Sequence, residues 1–498
     1  MREFRKDWLE KWAEYAPIKV VVEDAVTKAS YTYSQLNNLS NYLARRFEKM
    51  GLKSGDRIAV LSEFRVEYMV LLGAAMKMGY ILVPLNYRLS PRELMYMIQN
   101  CSPRLLITEE KYRTYFDDQD IDKTIINLSM AELANDLHEQ ELEIQESVSV
   151  YIEDDHPLFI LYTSGTTGFP KGAIYTYKMA FWNATNTQIR LDIRSSDHTV
   201  ICMPPFHTGG WNVLLLPFLL QGGSFSLLRK FDAEQVLDII DKEEVTIFMG
   251  VPTMLKMMAE TPQMKKVTLD SLRYFVVGGE AMPLPLIEKW KEKGVPIRQG
   301  FGLTEVGPNL FSLHHDDAIR KIGSIGTPNF FVRAKLVKED GTEAMHEEAG
   351  ELWLKGPVTT PGYWQNEEAT REAFEDGWFK TGDILYRDAE GYFYVKDRIK
   401  NMYISGGENV YPLEVEKFLQ GHPSINEVAI IGVPDEKWGE VGRAIVVLHE
   451  ACSEEDLLSY CNGQLAKFKI PKKFVVVEQL PKNETGKIDR KKLIELYS

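Results

Sequence analysis

Leu158-Phe-Ile-Leu-Tyr-Thr-Ser-Gly-Thr-Thr-Gly-Phe-Pro-Lys-Gly172 joins an apolar run to a loop crowded with glycine and hydroxyl groups. The run from Leu158 to Tyr162 is short, continuous and apolar, and reads as a buried strand. Thr163, Ser164, Gly165, Thr166, Thr167 and Gly168 follow, then Lys171 and Gly172. Glycine lets a backbone approach a ligand closely. Hydroxyls and free N–H groups can bind phosphate oxygens, and Lys171 can neutralise their charge. The loop is not a Walker A motif: Lys171 is followed by Gly172, and no Ser or Thr follows to hold magnesium. An ordinary surface loop can share this composition. The strand before it and the partner motifs elsewhere separate the two readings.

Working outward, β-like runs alternate with segments of helix length. Arg57-Ile-Ala-Val-Leu-Ser62 precedes a helical stretch from Met69 to Lys77, and Tyr80-Ile-Leu-Val-Pro84 follows. Ser90-Pro-Arg-Glu93 is a capping box with proline in the first turn. Its helix ends near Asn100, and Arg104-Leu-Leu-Ile-Thr108 is the next strand. This βαβαβ order predicts a parallel sheet covered by helices. It returns at Val245-Thr-Ile-Phe-Met249, Tyr274-Phe-Val-Val277 and Val295-Pro-Ile-Arg298. Ligands of such sheets sit beyond the carboxyl ends of strands. The glycine-bearing motifs at 163–172, 278–280 and 300–305 each follow a predicted strand, which predicts one shared rim. From about Gly350 a smaller β unit begins, with strands at Glu351-Leu-Trp-Leu-Lys355 and Tyr392-Phe-Tyr-Val395. Past Lys400, Val428-Ala-Ile-Ile-Gly432, Ala444-Ile-Val-Val-Leu448, a helix capped at Ser453 and Phe474-Val-Val-Val477 predict a small α+β domain. The fold class is therefore α/β. A large N-terminal domain of helix-covered, mostly parallel sheets plus a small β unit is joined to a small α+β C-terminal domain.

The chain of 498 residues exceeds one ordinary core, so two or more domains are expected. Its net charge of −14 excludes general nucleic-acid binding, which needs a basic face. The segment 467–498 is locally basic, with nine Lys/Arg against four Asp/Glu. That charge could meet nucleotide phosphates or line a solvated helix face. Cys101, Cys202, Cys452 and Cys461 lie far apart, which fits free thiols in a reducing cytoplasm and offers no zinc site. The charged start, Met1-Arg-Glu-Phe-Arg-Lys-Asp, is not a signal peptide. Val213-Leu-Leu-Leu-Pro-Phe-Leu-Leu220 is too short to span a bilayer, so membrane contact is peripheral at most. A monomer and a homodimer both stay open.

Further motifs accompany the loop: Pro204-Pro-Phe-His-Thr-Gly-Gly210, Gly278-Gly-Glu280, Gln299-Gly-Phe-Gly-Leu-Thr-Glu305, Thr381-Gly-Asp383, Lys396-Asp-Arg-Ile-Lys400 and Pro481-Lys-Asn-Glu-Thr-Gly-Lys487. In kind and order they resemble the motifs of the adenylate-forming (AMP-binding) enzymes, and most closely those of the acyl-CoA synthetases. The resemblance spans nearly the whole chain. It implies that the loop clamps the β- and γ-phosphates of ATP. It further implies that Thr304 donates to the α-phosphate, and that Glu305 ligates Mg2+, a hard cation suited to carboxylate oxygen. Phe301, between Gly300 and Gly302, would lay its ring on adenine, with Gln299, Gly279 and Glu280 alongside. Asp383 would accept from both ribose hydroxyls, as a carboxylate can, with Arg398 as the second ribose or phosphate contact. Lys487 would bridge the substrate carboxylate and the α-phosphate. Lys400 matches the hinge, so the domains are expected at 1–397 and 401–498 with 398–400 between them, the smaller one mobile. Gly406 and Gly407 would leave room for the pantetheine arm of coenzyme A. His207 would lie near the substrate carboxylate. Trp211, four residues on, either lines the acyl pocket or packs in the core.

The reaction so implied is ATP-dependent acid–CoA ligation through an acyl-adenylate. No basic residue stands in 204–217 to greet a second carboxylate, which points to a medium- or long-chain fatty acid. An aryl acid of cinnamate or succinylbenzoate type, a freestanding adenylation enzyme loading a carrier protein, and a silent nucleotide-binding protein remain as alternatives.

Overall fold

Alternating apolar runs and amphipathic segments become layered sheets and helices in a computed structural model. It describes residues 6–116, 122–140, 145–163, 170–279, 282–398, 401–405, 408–435, 438–462, 464–465, 467–483 and 486–498. The side chains of Arg398, Glu408 and Asn409 also fall outside that description.

The chain forms two compact units, 1–334 with 354–379, and 335–353 with 380–498. In the first, a six-stranded sheet has the order Ile126–Ser129, Leu105–Thr108, Arg57–Leu61, Ile81–Pro84, Pro157–Thr163, Lys171–Thr176. Neighbours are parallel except the last two. Parallel strands need crossovers, which the helices Val66–Met78 and Pro91–Cys101 supply. The Ser90–Glu93 capping box forms as expected, with Pro91 in the first turn. Helix Val66–Met78 is apolar on nearly every face and is buried almost throughout, as a helix in a two-sided core must be.

A second set of strands in this unit pairs Ile247–Gly250, Tyr274–Val277 and Ile297–Leu303 in parallel. Strand Gly307–Leu313 then returns antiparallel to Ile297–Leu303. The strand expected to end at Arg298 runs further: Gly300, Phe301 and Gly302 continue it. Gly302 serves close packing between strands. A β-carbon on Gly302 would lie 2.2 Å from the Pro308 carbonyl oxygen. The shared rim needs correction too, because the 163–172 motif and the 300–305 motif belong to different sheets.

In the second unit, Trp378–Arg387 pairs antiparallel with Phe393–Arg398. A further sheet is ordered Glu408–Val410, Tyr403–Ser405, Gly439–Leu448, Ile425–Asp435, with Lys473–Val476 parallel to Gly439–Leu448. Helix Pro412–Leu419 packs on it, and the helix capped at Ser453 spans Glu454–Cys461. All four cysteines are free. No helix among the described residues is long and apolar enough to cross a membrane.

Candidate active site

The opening motif is the closing end of a hairpin. Strand Pro157–Thr163 pairs antiparallel with Lys171–Thr176, so Thr163 and Lys171 face each other across the ladder. Ser164, Gly165, Thr166, Thr167 and Gly168 lie outside the described residues, as do Glu280, Lys400, Gly406, Gly407 and the side chain of Arg398.

From the other sheet, Thr304 and Glu305 occupy a single 3-10 turn, Thr304–Val306. Thr163 Oγ1 lies 3.3 Å from Glu305 Oε1 and 3.5 Å from the Lys171 carbonyl oxygen. A hydroxyl has one proton, and the ionised carboxylate is the stronger acceptor. A second donor reaches the same oxygen: Tyr363 Oη is 3.1 Å from Glu305 Oε1. Glu305 Oε2 accepts no hydrogen bond among the described residues. The Lys171 ammonium stands 5.3 Å from the centroid of the Tyr363 ring. Burial, with the Glu305 carboxylate beside it, pushes the Tyr363 phenol far above its usual range, so it stays a protonated donor. Sequence reasoning missed Tyr363. Its only local signal is the Pro361-Gly-Tyr-Trp364 turn, an aromatic pair on a loop, where functional side chains concentrate.

The glycine motifs converge nearby. A β-carbon on Gly278 would sit 3.5 Å from the Gly300 carbonyl oxygen. Gly279 has φ +86°, a conformation that favours glycine. Gln299 is 5% exposed, and its Oε1 accepts from the Met282 N–H at 3.1 Å. Its Nε2 is buried with no partner among the described residues. Phe301 packs edge-on against Phe311, ring centroids 5.9 Å apart. In the second unit Asp383 pairs across the ladder with Arg398, so the two expected ribose contacts are neighbours. Asp383 is buried, on a strand. Lys487 is exposed, on a tight turn in which its N–H donates to Asn483 Oδ1 at 3.1 Å.

His207 is the residue before the short helix Thr208–Asn212. It is half-buried, with its ring 4.6 Å from that of Phe206. Gly210 permits the turn, since a β-carbon there would meet the Pro204 carbonyl oxygen at 2.6 Å. The pocket role considered for Trp211 gives way to the core role. The indole is fully buried against Phe64, Tyr68 and Phe159 and donates to the Pro205 carbonyl at 2.6 Å. A void of about 10 Å³ does lie beside the segment, lined by Val200, Ile201, Cys202, Met203, Gly209, Leu214 and Met249. His314, His315 and Asp316 have the chemistry of metal ligands. Both imidazoles are engaged by the Arg298 guanidinium at 3.1 Å, which disfavours a cation there.

The AMP-binding enzyme family matches residues 9–364, and the AMP-binding enzyme C-terminal domain matches residues 414–487. The long-chain-fatty-acid–CoA ligase FadD13 of Mycobacterium tuberculosis is 37% identical over 478 residues, which is 95% of this chain and 94% of that protein. A 2-succinylbenzoate–CoA ligase of Bacillus cereus is 36% identical over 497 residues, 100% of this chain and 99% of that protein. Among solved structures, the O-succinylbenzoate coenzyme A synthetase (MenE) of Bacillus subtilis in complex with ATP and magnesium ion superposes with a TM-score of 0.86. It is 32% identical and covers 98% of this chain and 99% of that one.

Proposed function

The chain belongs to the AMP-binding enzyme family and is an acid–CoA ligase, and from that premise we propose that its acid is a medium- or long-chain fatty acid. The observation that carries this is the segment 204–217, which sets no Lys, Arg, Asp or Glu beside His207. An alkyl chain gains about 0.8 kcal/mol per buried CH₂, and that segment itself offers nothing to a second carboxylate.

In the first half-reaction a substrate carboxylate oxygen attacks the α-phosphorus of ATP. The bond to pyrophosphate breaks and acyl-AMP forms. In the second, the thiol of coenzyme A attacks the acyl carbon, its proton is lost and AMP leaves. Two anions must meet in the first step, so positioning and electrostatics dominate. Lys171, the hydroxyls of Thr163, Ser164, Thr166 and Thr167, and the backbone at Gly165 and Gly168 hold the β- and γ-phosphates. Thr304 donates to the α-phosphate. Gly279, Glu280, Gln299 and Phe301 take the adenine, with Gly300 and Gly302 leaving room, and Asp383 and Arg398 take the ribose. Lys487 joins the carboxylate to the α-phosphate. His207 orients the acid. Lys400 is the hinge of the movable C-terminal part, and Gly406 and Gly407 admit the pantetheine arm.

Glu305 is the residue that would hold magnesium. It is a hard oxygen donor, and only one of its oxygens is engaged by Thr163 and Tyr363. Bound there, the ion draws off phosphate charge.

One observation favours an aryl acid instead. Phe206, beside His207, packs edge-to-face on Tyr87 at 5.1 Å, and the Arg88 guanidinium stands 5.6 Å from its ring, a cation that could meet the second carboxylate of a succinylbenzoate. The test is AMP release with and without coenzyme A across saturated fatty acids of increasing length, cinnamates and succinylbenzoate. Highest kcat/KM on a fatty acid is expected. Highest kcat/KM on an aryl acid overturns the fatty-acid reading.

A further inference from the structure

Tyr363 stands between two opposite charges that the reaction needs apart. Its backbone is fixed from both sides. The Trp364 N–H donates to the Gly172 carbonyl at 2.7 Å, and the Ile174 N–H donates to the Gly362 carbonyl at 3.1 Å. The Thr360 N–H donates to the Glu305 carbonyl at 2.7 Å, while Thr360 Oγ1 donates to the Ile174 carbonyl at 2.7 Å. The turn is thus laced to the strand that begins at Lys171 and to the turn that carries Glu305. From this platform the phenol uses two different surfaces. In the ring plane, its hydroxyl donates to Glu305 Oε1 at 3.1 Å, a normal hydrogen bond. Over the ring face, the Lys171 ammonium lies 5.3 Å from the centroid, inside cation–π range. A carboxylate and an ammonium left without other partners attract each other. Direct pairing would occupy the oxygen meant for a metal and the cation meant for phosphate. Tyr363 gives each charge a different partner.

We propose that Tyr363 is a positioning residue for adenylation: its hydroxyl orients Glu305 toward the divalent cation, and its ring face seats Lys171 toward the ATP phosphates. The inference rests on the metal and phosphate roles proposed above for Glu305 and Lys171. Because the two surfaces belong to one side chain, two substitutions separate them. Tyr363→Phe keeps the ring and removes the hydroxyl. Tyr363→Leu removes both.

The experiment measures ATP binding to the full chain by calorimetry, without magnesium and over a magnesium titration, alongside initial pyrophosphate release. Glu305→Gln and Lys171→Ala are run in parallel. For Tyr363→Phe, half-saturating magnesium rises about 10-fold, as for loss of a group that orients a metal ligand. Metal-free ATP binding stays at the wild-type value. For Tyr363→Leu, metal-free ATP binding also weakens, about 2- to 5-fold, the size of a partly exposed cation–π contact. The inference fails if Glu305→Gln shifts the magnesium titration and Tyr363→Phe does not. It also fails if Tyr363→Leu binds metal-free ATP as Tyr363→Phe does while Lys171→Ala binds it more weakly. An unshifted titration in Glu305→Gln overturns the metal assignment itself, and this inference with it.

Discussion

The indole of Trp211 has no exposed surface, and three aromatic rings pack on it. Phe159, one of them, lies on the strand that ends at Thr163. Trp211 therefore ties the His207 segment to that strand through packing. Truncation leaves a cavity that close-packed neighbours cannot fill. Trp211→Ala is expected to cost ~3–5 kcal/mol of stability. Thermal melts and acid-preference profiles measured together check this: a large melting loss with the same ranking of acids is expected, and a changed ranking at near-native stability contradicts it. Elsewhere, Glu243 shows how a half-buried carboxylate acquires pH dependence. Burial alone raises its pKa, but hydrogen bonds from His198, Ser226 and Lys28 outweigh that and pull it down to about 2 from an ordinary 4.5. A depressed carboxylate pKa contributes stability above the unfolded value and loses it as pH falls through the folded one. The melting temperatures of wild type and Glu243→Gln should differ by a constant amount above pH 4.5 and converge from there toward about pH 2. A gap that stays constant through that window refutes the linkage. Solvent screening keeps the gap small, since the group is half-buried.

At the scale of elements, helix Pro412–Leu419 has no side-chain cap of its own, although the first N–H groups of a helix need acceptors. Asp397 supplies one from another strand. Its Oδ2 accepts from the Leu413 N–H at 2.6 Å, and its Oδ1 accepts from Asn401 Nδ2 at 3.1 Å. The carboxylate is 2% exposed, so water cannot replace it. Asp397→Ala should destabilise this unit by ~1–3 kcal/mol, the cost of buried donors left without an acceptor. Asp397→Asn, which keeps an oxygen, should cost less. Amide exchange at Leu413 reads the effect directly, and unchanged protection in Asp397→Ala rules out the cap. This cap also shows what a sequence hides. The Ser90 and Ser453 boxes were legible because cap and partner are three residues apart. Asp397 and Leu413 are separated by the strands Tyr403–Ser405 and Glu408–Val410, and no local pattern links them. The Ile297–Leu303 strand was cut short for a different reason: its glycines read as punctuation, while Gly300 continues the ladder and Gly302 lets Gly307–Leu313 approach. Thr163 and Glu305 were singled out separately from their motifs. Their meeting across two sheets, with Tyr363 as the third member, is long-range and emerges only from folding.

Over the whole molecule, the residues proposed above for ATP fall in both compact units. Thr163, Lys171 and Glu305 belong to one, and Asp383 and Lys487 to the other. Such a division has a kinetic consequence when one site runs two half-reactions. The first step concentrates negative charge where carboxylate and α-phosphate meet, and a cation is needed there. The second step attacks a finished acyl-AMP with a thiol, and that need has passed. A lysine on the smaller unit can therefore serve one step and be dispensable for the other. Lys487 suits this separation, because it is exposed on a turn of the smaller unit. Lys487→Ala should change the melting temperature little, because the side chain is exposed. It should slow acyl-AMP formation by ~2.7–4 kcal/mol, the scale set by removal of one donor from a preorganised oxyanion site. Conversion of supplied acyl-AMP and coenzyme A to thioester should proceed at close to the wild-type rate. Pyrophosphate release reports the first step and thioester formation from synthetic acyl-AMP the second. Equal losses in both would mean that Lys487 serves binding common to the two steps, and the division of labour between the units would have to be abandoned.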